Sequence, residues 1–114
     1  MSTMNDSTLI PMETIDRAAH LLLEAAPAGS EVILFGSYAR GNPSAHSDLD
    51  FLVIEPTLER KHSETVRLRD VLRELRVPVD VLVTSREVYD AWKVGVNSVI
   101  ARAHREGRRY AASA

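Results

Sequence analysis

Two aspartates one residue apart, Asp48 and Asp50, open an otherwise apolar run over residues 49–54. If that run is a strand, alternate side chains share a face, and a rise of about 3.3 Å per residue puts the two α-carbons roughly 6 to 7 Å apart. Carboxylates on that spacing can converge on a pair of hard cations, which two-metal enzymes hold about 3.5 to 4 Å apart. Oxygen donors of this kind favour magnesium or manganese over softer metals. Without a cation, two like charges beside a greasy strand repel each other and resist burial. The same pair also reads as two solvated charges at an exposed strand end.

A third carboxylate, Asp80, is the only charge in the β-rich run over residues 77–83. Val79, Val81 and Val83 share one face of that run, which leaves Asp80 on the other, where an unpartnered carboxylate is costly. Should this strand lie beside residues 48–54, Asp80 completes a three-carboxylate site. Upstream, Gly36 and Ser37 close an apolar strand over residues 32–35. A glycine there lets backbone approach a ligand closely, and free N–H groups with a serine hydroxyl can hold phosphate oxygens. The pair also reads as an ordinary turn. Arg40 in the loop that follows either faces phosphate oxygens or braces the loop, and His46 reads as an exposed loop residue.

The elements that must position these groups follow in order. Pro11 suits a first helical turn, and Ile15, Ala18, Ala19, Leu22, Leu23 and Ala26 recur at helical spacing until Pro27 and Gly29 end the helix. A strand over residues 31–35, a loop over 38–47 and a strand over 48–54 come next. Glu55-Pro56 makes a turn, Thr57 is a candidate cap, and residues 58–75 read as a helix whose inner stripe is Leu68, Val71, Leu72 and Leu75. Pro78 introduces the third strand, Thr84-Ser85 can cap a short helix to Trp92, and Ser98 can cap a last helix that Gly107 stops. The pattern predicts an α/β or α+β domain with a small central sheet carrying flanking helices.

Residues 1–10 read as a loose tail and residues 11–114 as one domain, since a chain of 114 residues has room for a single core. Its 45% hydrophobic and 26% charged residues are those of an ordinary soluble protein. With no cysteine there is neither a disulfide framework nor a thiolate zinc site. The start lacks the features of a signal peptide and no apolar run reaches membrane-spanning length, so a cytoplasmic location and no membrane partner are expected. A formal charge of −2 gives no overall attraction to nucleic acid, and direct binding to it is not expected. The dense basic group, Arg102, His104, Arg105, Arg108 and Arg109, reads first as a favourable helix C-terminus, and otherwise as a surface for an acidic partner or a grip on RNA.

Gly36-Ser37, ten further residues, Asp48-Leu49-Asp50 and the later Asp80 together resemble the signature of the DNA polymerase beta-like nucleotidyltransferase superfamily. With Ala39-Arg40-Gly41 and Ser47-Asp48, the compact form resembles the minimal nucleotidyltransferases that act as antitoxin partners of HEPN toxins. The resemblance spans about residues 11–110. It implies a mixed three- or four-stranded sheet of the polymerase beta palm type, with Asp48, Asp50 and Asp80 on one edge of its face. It further implies two magnesium ions, or manganese, on those three aspartates, and ATP held at Gly36, Ser37 and Arg40. The expected activity is transfer of AMP from ATP to a hydroxyl, a tyrosine of a HEPN-type toxin. The alternatives are a non-catalytic antitoxin that masks its toxin, or transfer to a small molecule such as an aminoglycoside. Larger relatives hold such acceptors with an added helical domain that this sequence lacks.

Overall fold

The computed structural model describes residues 9–112, so the tail expected over residues 1–10 lies almost wholly outside the described residues. The order is α1 (Met12–Ala25), β1 (Glu31–Phe35), α2 (Ser37–Arg40), β2 (Leu49–Glu55), α3 (Lys61–Val71), a 3-10 turn (Arg73–Leu75), β3 (Val79–Ser85), α4 (Arg86–Trp92), α5 (Val99–Glu106) and β4 (Arg108–Ala111). The strands form one sheet in the order β3-β2-β1-β4. β1 runs antiparallel to both of its neighbours, and β2 and β3 are parallel. This is the small central sheet with flanking helices that the sequence pattern predicts, mixed as the resemblance implies.

Both faces of the sheet are covered, which is why β2 is apolar on alternate and intervening positions alike. On one face Leu34, Leu49, Phe51, Val53 and Val81 pack with Ile15, Ala19 and Leu22 of α1 and Leu68 of α3. On the other, Ile33, Phe35, Leu52 and Ile54 pack with Tyr89 of α4 and Ala103 of α5. Each fully buried Leu, Ile or Phe contributes about 1.5–3 kcal/mol, so these two layers dominate the stability. The second layer also fixes α4 and α5 above the sheet face that carries Asp50 and Asp80, which limits what can reach it.

Several boundaries differ from the sequence expectation. The helix expected over residues 58–75 begins at Lys61 and breaks after Val71 into the 3-10 turn, with Arg76 left-handed at φ 54°. Arg60, not Thr57, is its N-cap, and no side chain caps it. Ser85 and Ser98 do cap α4 and α5, accepting from the backbone N–H of Val88 at 3.2 Å and of Ala101 at 2.9 Å. β4, the fourth strand that the resemblance allowed and the sequence pattern did not locate, pairs Arg108 with Leu34 and Arg109 with Ile33. Gly107 admits it: a Cβ there would strike Ile33 and lie 2.9 Å from the Leu34 carbonyl oxygen. Among the described residues no helix is long and apolar enough to cross a membrane.

Candidate active site

β1 ends at Phe35, whose register partner across the sheet is Asp50. The next residue, Gly36, sits at φ 81°, ψ −160°, a region essentially closed to side chains. A Cβ on Gly36 would also overlap the Asp50 carboxylate. One residue therefore fails on two counts unless it is glycine, and the consequence is bare backbone laid against a carboxylate. Ser37 then opens α2, a single turn that occupies the start of the loop expected over residues 38–47 and ends at left-handed Gly41, φ 84°.

From Gly41 the chain returns to the sheet through a serine-braced loop. Ser47 Oγ accepts from the Ser44 backbone N–H at 2.9 Å, and Ser44 Oγ from that of His46 at 3.3 Å. His46 itself is exposed, as expected. Asp48 ends this loop, exposed, one residue before β2 begins. The Leu49 N–H donates to the Pro78 carbonyl at 2.9 Å and so pins β2 against the start of β3. In that register Asp50 and Asp80 are direct partners of the parallel pair and share a face.

Asp50 is half-buried between exposed Asp48 and exposed Asp80. Its carboxyl is held above the usual carboxylate range, first by burial and then by the charges of Asp80 and Asp48, against a weaker opposing pull from Arg40. Both neighbours thus act on Asp50, the least exposed of the three and the one with the least water to offset the repulsion. Arg40, at the end of α2, lies in the field of Asp50, and its Nη1 stands 3.7 Å from Glu106 Oε1 of α5. Glu106 had no separate signal in the sequence.

Among the described residues no three acidic or histidine side chains form a ready-made metal cage. The donor chemistry still suits magnesium, which is commonly held by one or two carboxylates completed by waters and substrate phosphates. Asp50 and Asp80, partners in the parallel register, are the residues that would supply such a pair.

Two further polar clusters lie outside this site. Glu55, expected in a turn, is the last residue of β2 and only 2% exposed, facing α3 with Leu49, Phe51 and Val53. Burial, then a hydrogen bond and repulsion from Glu64, push its carboxyl up to about 8, while Arg67 bonds Glu64 at 2.7 Å. The basic group is divided rather than dense. Arg109 and His104 converge on the Tyr89 hydroxyl at 2.8 and 2.6 Å, and Arg108 lies beside Met12. Burial and Arg109 hold His104 below its ordinary value. Tyr89 is 1% exposed, so it offers no contact surface, whereas Trp92 does.

Comparison with known proteins agrees with this geometry. No curated protein matches the chain. A crystal structure from Sulfolobus solfataricus, reported as a candidate nucleotidyltransferase, superposes with a TM-score of 0.52 at 25% identity, covering 69% of this chain and 70% of that one. The family model described as the nucleotidyltransferase domain matches residues 15–108, which includes Gly36, Ser37 and all three aspartates. The chain belongs to the nucleotidyltransferase domain family.

Proposed function

We propose that the chain transfers AMP from ATP to a hydroxyl of a partner protein, a tyrosine of a HEPN-type toxin, and so acts as its antitoxin. The observation that carries nucleotidyl transfer is the placement of the Gly36 backbone against Asp50 with Asp80 in register beside it. A phosphate-binding turn and a carboxylate pair are thereby joined across three adjacent strands. Asp48, Asp50 and Asp80 would hold magnesium or manganese, which when bound neutralises charge on the reacting phosphate.

Gly36 and Ser37 hold the β- and γ-phosphates, and Arg40 adds a cation on the same flank. The acceptor oxygen attacks the α-phosphorus, the bond to the pyrophosphate oxygen breaks, and Asp80 takes the hydroxyl proton. Little covalent chemistry is asked of the protein, so positioning and charge compensation supply the rate. Modification would put an anion and a bulky nucleoside on the toxin's tyrosine in place of a neutral hydroxyl donor.

The test is co-expression of parent or Asp48→Ala protein with the candidate toxin, followed by intact-mass measurement of the toxin. The expected result is a toxin heavier by one AMP with the parent and unmodified with Asp48→Ala. An unmodified toxin inhibited equally by both forms would replace transfer by simple masking. Transfer to a small molecule such as an aminoglycoside is tested by offering it as acceptor with labelled ATP.

A further inference from the structure

Leu52 and Leu82 follow Asp50 and Asp80 on the same face of the β2–β3 pair and are again direct partners. Two residues along a strand is roughly 6 to 7 Å. Here the sheet face opens into a groove of about 230 Å³, bounded by Leu82, Val88 of α4, and Val99 and Ile100 of α5. Lys61 is the only charged residue on its lining. The apolar surface does not stop at the groove. Val88 and Val99 are 43% and 42% exposed, Trp92 one turn beyond Val88 is 56% exposed, and Val94 and Val96 in the α4–α5 corner are 81% and 76% exposed.

The position of this groove decides what it can hold. Gly36 follows β1, Asp50 lies in β2 and Asp80 in β3, so phosphate turn and carboxylates form a line across the sheet. Displacement at phosphorus runs in line, with attacking and leaving oxygens on opposite sides. Pyrophosphate leaving toward Gly36 and Ser37 requires the acceptor to arrive over β3. Beside that path lies the groove. Its apolar walls have little to offer a polyanion, and the exposed valines and Trp92 make more apolar surface than a small acceptor would cover.

Resting on the nucleotidyl-transfer reading above, we propose that the groove bounded by Leu82, Val88, Val99 and Ile100 is the acceptor subsite. It seats an apolar segment of a protein acceptor, with an acidic residue of that segment near Lys61, so that the adjoining hydroxyl reaches Asp80.

Amide NMR on the full chain tests this with two probes: a non-hydrolysable ATP analogue with magnesium, and a blocked peptide carrying glutamate and a tyrosine between two leucines. The peptide is expected to shift Leu82, Val88, Val99 and Ile100, and the analogue Gly36 and Ser37 but not the groove. Val99→Glu places an acid in the first turn of α5, where a helix tolerates it, and Val88→Glu changes a second exposed wall. Each should weaken peptide binding about tenfold, or 1.4 kcal/mol, and leave analogue binding unchanged. Exchanging the peptide's glutamate for lysine should weaken it too. Groove amides that ignore the peptide, variants that bind it like the parent, or an analogue that moves the groove would each overturn the subsite. An analogue that leaves Gly36 and Ser37 unmoved counts instead against nucleotidyl transfer, so the two failures are told apart.

Discussion

The Gly36 α-carbon is packed so closely on the Asp50 carboxylate that a single added methyl group would overlap it. Backbone conformation and carboxylate placement are therefore linked through one residue. Gly36→Ala should cost about 1–3 kcal/mol from the backbone alone, seen as a lower urea midpoint, and should abolish transfer by displacing Asp50. Removing the carboxylate as well, in Gly36→Ala with Asp50→Ala, should relieve the overlap but not the strained φ. The double variant is then more stable than the sum of the singles by about 0.5 kcal/mol or more, and strict additivity would refute the contact.

Ser37 tests the other half of the site. As the first residue of a one-turn helix its hydroxyl matters for the fold by about 1 kcal/mol at most. Ser37→Ala should thus melt close to the parent while ATP use falls. A large drop in melting temperature with unchanged ATP affinity would return Ser37 to a purely structural turn.

Much of this arrangement is legible in the sequence because it follows from strand alternation. Asp50 and Asp80 each sit opposite a valine or phenylalanine stripe, and two such strands in parallel register bring the carboxylates together. Ser85 and Ser98 announce their helices by local chemistry alone. What is hidden depends on partners distant in the chain. β4 carries two arginines in four residues and exists through its pairing with β1 and the room left by Gly107. Tyr89 is buried because α5 and β4 close over it, and Arg40 finds Glu106 sixty-six residues away.

Asp50 separates stability from function. Because burial and two neighbouring carboxylates disfavour its charge, Asp50→Asn should raise the melting temperature of the free protein. The same variant should lose transfer by roughly 100-fold or more, as for other groups that stabilise developing charge. Magnesium with ATP should raise the melting temperature of the parent but not of this variant or of Asp48→Asn. Equal stabilisation of all three would show that the aspartates do not hold the metal and nucleotide.

Glu55 gives the fold a pH dependence that has nothing to do with transfer. It is 2% exposed, its Oε2 has no hydrogen-bond partner among the described residues, and the groups that face it are Glu64 and Arg67 of α3. Its carboxyl rises from 4.5 to about 8, so the folded chain retains a proton that the unfolded chain has lost. The resulting stabilisation is complete below pH 4.5 and is lost as the pH climbs through about 8. Between those limits stability should fall by up to about 1.4 kcal/mol per pH unit, since native binds more protons than unfolded. Glu64 works in the opposite sense: Arg67 and Glu55 lower it, and its contribution is lost as the pH falls below 4.5. Glu55→Gln keeps a donor toward Glu64 but cannot ionise. Urea unfolding of parent and variant across neutral to mildly alkaline pH should therefore show a falling line for the parent and a flatter one for Glu55→Gln, and parallel lines would remove Glu55 as the titrating group.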